Sequence, residues 1–214
     1  MLKSPNDRRA IRTKKLIRNA LSELIEEKGS GNISITDLTT RADINRGTFY
    51  LHYTDKYDLL EQVENEVMQE LKEHAQVASF VDVLNANFVD SIDSANKPMS
   101  FMINIFEYLK ENSKFMKAIL GPKGDPKFHT KLKKFIEASI FGSQMVKVFK
   151  PENMLVPEAY FASYILSAHL GVIQQWLESG MEKSPEEMSL ILSKMFFLGP
   201  FKVTGYKQDI NPSH

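Results

Sequence analysis

One seventeen-residue stretch, INRGTFYLHYTDKYDLL at 44–60, sets Arg46, Thr48, Tyr50, His52, Tyr53 and Lys56 close together beside a turn. Every one of these side chains can donate a hydrogen bond, and Arg46 and Lys56 are cations. Arginine forks onto paired acceptors such as those of guanine, and lysine offers a point charge to phosphate. Tyr and His lay an apolar body against sugar and donate from a polar tip. Catalytic constellations are another matter. The chain has no cysteine, no metal-spaced His/Asp/Glu cluster, no G-x-S-x-G turn and no phosphate-cradling glycine loop. Glu64 with Glu66, and Glu186 with Glu187, read as solvated helix faces or caps. Enzymatic chemistry, a metal and a cofactor are therefore not expected.

Charge distribution points the same way as the donor cluster. Net charge is zero, with 27 basic and 27 acidic residues, yet residues 1–57 hold 11 Lys and Arg against 7 Asp and Glu. Lys3, Arg8, Arg9, Arg12, Lys14, Lys15 and Arg18 are opposed only by Asp7 over that opening segment. A basic end on an otherwise acidic body is suited to a polyanion. The first residues carry no apolar run of the signal-peptide kind, so a cytoplasmic location is expected. Residues 159–177 lack charge, but Ser163, Ser167, His169, Gln174 and Gln175 make a buried helix a better reading than a membrane span.

The elements that must position these groups are helices. Apolar residues recur at i, i+3, i+4 and i+7, and strand-type alternation is missing, so an all-α chain of about nine helices is expected. The first runs from about Asp7 to Lys28 and stops at Gly29. A second opens at Ser34 with Asp37 three residues on, and a third starts near Asn45 and ends around His52. Thr54 or Asp55 caps a fourth, whose inner stripe is Leu60, Val63, Val67 and Leu71. Phe80, Leu84, Phe88 and Ile92 mark a fifth, and Pro98 the first turn of a sixth. GPKGDP at 121–126 breaks the chain before a seventh over about 127–149. An eighth spans 157–179. The ninth is launched by Ser184, Pro185 and Glu187, and Gly199-Pro200 is expected to end it.

Three helices of which two are short and joined by a tight turn describe a helix-turn-helix, whose second short helix enters the major groove. Phe49 would face the small core beside Leu38 and Ile44, while Tyr50 and His52 project outward. An aromatic cluster on a helical hairpin is also what a protein-binding adaptor would show, and Tyr53 fits a core as readily as an interface.

The residues ITDLTTRADINRGTFYLHYTDKYDLL at 35–60 resemble the DNA-binding segment of the TetR (tetracycline-repressor-like) family of bacterial transcription regulators. Thr36, Ala42, Thr48, Phe49, Tyr50, His52, Lys56, Leu59 and Leu60 fall on matching places, whereas Thr39, Asp43 and Tyr53 depart from the usual alanine, glycine and phenylalanine. Asp tolerates the left-handed conformation, so the turn should survive at Asp43. Motif and resemblance together give a DNA-contacting set of Thr36, Asn45, Arg46, Gly47, Thr48, Tyr50, His52, Tyr53 and Lys56.

The resemblance implies a helix-turn-helix domain over residues 1–54, a helical ligand-binding and dimerisation domain over 55–200, and a loose tail over 201–214. It further implies a homodimer joined through helices near 157–179 and 185–198, bound to a palindromic double-stranded DNA operator. A small-molecule effector of unknown identity would sit in the body, and Met102, Phe106, Met145, Tyr164, His169 and Trp176 are candidate pocket residues. For any one of these taken alone, plain core packing is the favoured reading on sequence grounds. The expected function is a ligand-responsive transcriptional regulator, acting as a repressor; the competing reading is a helical adaptor that uses the 44–60 aromatics.

Overall fold

The computed structural model describes residues 5–75, 95–141 and 151–205. The expected fifth helix and Met145 lie outside the described residues. Among those described, regular structure is entirely helical. In our numbering the helices are α1 (Pro5–Lys28), α2 (Ile35–Arg41), α3 (Arg46–Tyr50), α4 (Lys56–Ala75), α5 (Ser100–Glu111), α6 (Ser113–Leu120), α7 (Pro126–Phe141), α8 (Glu158–Glu178) and α9 (Pro185–Val203).

Local chemistry sets most of these boundaries. Gly29, at φ 84°, turns the chain out of α1 while its N–H still donates to the Ile25 carbonyl. Ser34 and Asp37 form a complete capping box on α2, each side chain accepting from the other's backbone N–H. Asp55 caps α4 by accepting from the N–H groups of Tyr57 and Asp58. Ser184 and Glu187 box the start of α9, with Pro185 at its first turn.

Three boundaries differ from the sequence expectation. Pro98 precedes the cap residue of α5, Met99, so that helix starts later. Asn112 adopts φ −104°, ψ 18° and separates α5 from α6 within the polar run 110–114, ahead of the break expected at 121–126. Gly199-Pro200 does not end α9 as expected: Gly199, at φ 70°, kinks it, and one further turn follows to Val203.

Burial explains how the pieces are held. Ile17, Leu21, Leu24 and Ile25 of α1 meet Leu38 of α2 and Phe49 of α3, all at most 3% exposed. That group continues through Leu59, Val63, Val67 and Leu71 of α4 to Phe106 and Leu109 of α5, then to Trp176 and Leu192. One core thus runs from the helix-turn-helix into the body. Each fully buried Phe or Leu contributes about 1.5–3 kcal/mol by leaving water. α1 packs on α6, α4 on α5, α5 on α9, and α8 on α6 and α7. Ser189 of α9 fastens the approach to α5 from inside: its buried hydroxyl accepts from the Met99 N–H and donates to the Met99 carbonyl.

Candidate nucleic-acid interface

The turn between α2 and α3 is built around Asp43, whose φ of 51° is the left-handed conformation expected of it. Ile44 N–H donates to the Thr39 carbonyl, bringing α3 back across α2. Asn45 then caps α3, its Oδ1 accepting from the Thr48 N–H at 2.7 Å and the Thr48 hydroxyl at 3.0 Å. Asn45 and Thr48 therefore act on each other, fixing the first turn of α3. Phe49 is fully buried and anchors the helix.

Groups on the opposite side of α3 are exposed. The Arg46 guanidinium reaches the Thr36 hydroxyl at 2.7 Å, placing a residue of α2 and a residue of α3 on one polar surface. Tyr50 is 53% exposed, its ring edge-on to Phe49 at 5.6 Å. His52 is half-buried and Gly47 is exposed. Lys56 donates to the Gly31 carbonyl at 2.8 Å and lies 5.0 Å from the Tyr57 ring.

Tyr53 corrects the expected set. It is 3% exposed, packed 5.6 Å from Phe49, and desolvation pushes its hydroxyl up to about 12. It anchors the end of the helix-turn-helix within the core and offers no surface. Two residues that sequence reasoning missed are far more accessible: Leu51 at 81% and Tyr57 at 67%. Helical spacing could have found both. Each lies two positions from a buried residue, Phe49 or Leu59, which is about 200° around a helix of 3.6 residues per turn.

The cations of α1 divide into two groups. Arg8, Arg9, Arg12 and Lys15 are exposed. Arg18 instead turns into the body, donating to Asn112 Oδ1 at 3.3 Å with its guanidinium 4.8 Å from the Phe115 ring. Lys14 pairs with Glu66 of α4 at 3.5 Å. Glu23 and Glu27, near the other end of α1, are occupied as well. Arg41 forks onto Glu27 at 2.7 and 2.9 Å and reaches Glu23 at 3.0 Å, while Lys114 meets Glu23 at 2.6 Å. The Lys114 and Arg41 bonds hold the Glu23 carboxyl below its ordinary range, and Arg41 does the same to Glu27. Paired acids cancel little of the field of the free cations.

A loop of the body holds the helix-turn-helix in place. Lys123 donates to the Glu26 and Glu27 carbonyls at 3.0 Å each, satisfying open acceptors at the end of α1. Ser30 N–H donates to the Lys123 carbonyl at 3.0 Å, and its hydroxyl to the Gly124 carbonyl at 3.2 Å. Gln174 of α8 donates to the Leu120 carbonyl, just ahead of this loop.

The expected pocket residues do not converge on one place. Phe106 and Trp176 are buried and meet edge to face at 5.0 Å, with the indole N–H donating to the Lys183 carbonyl. That pair is core, a correction that follows from their complete enclosure. Met102 packs half-buried against the same core. Tyr164 and His169 line a cavity of about 360 Å³ between α8 and α9, with Ile165, Leu192, Met195 and Gly199 among its walls. No helix of the described residues is long and apolar enough to cross a membrane, and none of them form a cluster able to hold a metal ion.

Comparison with known proteins agrees with this geometry. Residues 17–63 match the profile of bacterial regulatory proteins of the tetR family, and residues 96–197 match the TetR_C_8 transcriptional regulator C-terminal region. An uncharacterized HTH-type transcriptional regulator of Bacillus subtilis (strain 168), YxbF, is 23% identical over 92% of this chain. The chain spans about half of that relative, 48% of its length. A TetR transcriptional regulator from Streptococcus agalactiae 2603V has a similar fold, with a TM-score of 0.57 at 20% identity over 88% of this chain and 97% of that one. The fatty acid degradation regulator FadR from Bacillus halodurans gives a TM-score of 0.58 at 13% identity, covering 93% and 98%. With a helix-turn-helix at one end, a helical body at the other and both matched by the family's own profiles, the chain belongs to the TetR family of transcriptional regulators.

Proposed function

We propose that the protein is a repressor that binds a palindromic operator as a homodimer and is released by a small molecule. In this reading residues 1–54 contact DNA, and residues 55–200 dimerise and take the ligand. The observation that carries it is the exposed surface of Arg46, Thr36 and Tyr50, flanked by the free cations of α1. Arg46 reads a base edge, Tyr50 and His52 pack on sugar and phosphate, and Lys56 strengthens backbone contact. Asn45, Thr48 and Gly47 set the approach of α3.

Dimerisation is supported by apolar surface that the monomer leaves in water. Tyr160 is 74% exposed, Tyr164 53%, Met195 43% and Phe201 78%, all on α8 and α9. A two-fold pairing through this surface would set two α3 helices about 34–36 Å apart, one turn of DNA. A ligand preferring a different spacing lowers operator affinity by its differential affinity for the two geometries.

Fluorescence anisotropy with a palindromic duplex selected from genomic DNA tests the reading. Affinity should fall steeply with salt, because phosphate contacts release counterions. Arg46→Ala should flatten discrimination between operator and scrambled duplex, whereas Lys56→Ala should weaken both alike and reduce the salt slope by about 1. Affinity that ignores salt, or equal binding to every duplex, would refute it. The adaptor alternative predicts no shift of sheared genomic DNA at all.

A further inference from the structure

We propose that Leu51 reads the C5 methyl group of a thymine and is a specificity-determining residue of the helix-turn-helix. This deepens the operator-binding reading above and rests on it. Helix geometry sets the direction of the side chain. Leu51 caps α3 with helical dihedrals, φ −70° and ψ −17°, and its N–H donates to the Gly47 carbonyl at 3.2 Å. It therefore continues the helical path beyond Tyr50. Phe49, fully buried, marks the direction of the core. At about 100° per residue, Gly47 and Leu51 each lie about 160° from Phe49, on either side of the point diametrically opposite. Thr48 and Tyr50 are only about 100° away and Arg46 about 60°, so these form the shoulders of α3. The face turned furthest from the core belongs to Gly47 and Leu51.

Exposure agrees with that direction. Leu51 is 81% exposed against 53% for Tyr50, and Gly47 is exposed too. With no side chain at 47, the backbone of α3 can approach a base pair closely, and Leu51 leads. It stands on the helix-turn-helix, not on the α8 and α9 surface through which two copies would pair. Charge favours DNA over an apolar protein partner: Arg46 flanks Leu51 on α3, and Arg8, Arg9, Arg12 and Lys15 of α1 are exposed cations. Leucine has neither donor nor acceptor to offer. In the major groove the base edges present donors, acceptors and one apolar group, the thymine methyl. Against any other edge Leu51 would strip water from a polar atom and return no hydrogen bond. Thymine alone among the four bases gains from the contact.

The test is fluorescence anisotropy of the full chain on the selected palindromic duplex. Each thymine of one half-site is replaced in turn by deoxyuridine, which lacks only the methyl. Low salt keeps weak complexes within the measurable range. One replacement should weaken binding about fourfold, the effect of one methyl group leaving an apolar contact. In Leu51→Ala, whose circular dichroism should stay native because the side chain is exposed, that duplex and its parent should bind equally. A methyl penalty undiminished in Leu51→Ala, the absence of any thymine whose methyl matters, or a selected half-site without a T·A pair would overturn the proposal. Each of those results leaves operator binding standing. Loss of the native fold in Leu51→Ala would reveal a packing role and overturn it as well. Failure of the unaltered protein to bind any duplex would overturn this proposal and the operator reading together.

Discussion

Gly124→Ala isolates what the body loop contributes to holding the helix-turn-helix. A Cβ on Gly124 would sit 1.9 Å from the Ile119 carbonyl oxygen, and the obstacle is backbone with no rotamer to move aside. The loop must shift by roughly 1 Å or more to restore van der Waals contact. Four hydrogen bonds link it to the end of α1 and to Ser30, at 3.0 to 3.2 Å. Losing two or three of them costs about 2–4 kcal/mol, against a gain of about 0.5 from the stiffer unfolded chain. The expected net loss of about 2–3 kcal/mol corresponds to a fall in Tm of roughly 4–12 °C for a chain of this size. Gly31→Ala is the matched control, since a Cβ there meets nothing within 4 Å. It should change stability by no more than about 0.5 kcal/mol. Thermal melts of both variants, with amide exchange at Ser30, make the measurement. Equal melting, or a Ser30 amide protected as before in Gly124→Ala, would refute the reasoning.

Three further outcomes follow from the structure. Tyr53→Phe should leave operator affinity unchanged within about twofold, because the ring is core, while Tyr53→Ala should destabilise by about 3–5 kcal/mol in urea; a selective loss of DNA binding in Tyr53→Phe would show a contact the burial denies. Burial pushes the Glu64 carboxyl above its ordinary 4.5, with the Lys131 ammonium at 2.7 Å pulling the other way. The folded state then holds the proton more tightly than the unfolded one, so stability falls as pH rises from 4.5 through the folded value. Glu64→Gln should remove that slope in urea midpoints taken from pH 4 to 7, and parallel slopes would refute it. Ser184→Ala, which removes half of the α9 capping box, should lower stability by about 1 kcal/mol in the same assay.

The helix-turn-helix was readable because its signals are local. Ser34 with Asp37, Asp43 and Asn45 each act within four residues, and each does in the structure what its chemistry suggests. The periodic stripes were readable too, since Val63, Val67 and Leu71 lie on one face whatever they pack against. Long-range pairing was not. Nothing near Arg18 indicates that its guanidinium meets Asn112 and Phe115, 94 and 97 positions away, so it counted among the outward cations. Phe106 and Trp176 failed as pocket residues for the same reason: composition marks them apolar, and only the tertiary packing that sets the Phe106 ring of α5 against the Trp176 indole of α8 closes them off. The cavity wall came from two helices about thirty residues apart, and Tyr164 and His169 were recognised on one side only.

Trp176 is the sole tryptophan in the sequence. Its indole is shut away from water, wedged against the Phe106 ring and tethered to the Lys183 carbonyl. The molecule therefore contains its own spectroscopic gauge, a single emitter at the junction of three segments. Native emission should be strongly blue-shifted, and any slippage of α8 over α5 will register as a change of colour or brightness without a label being attached.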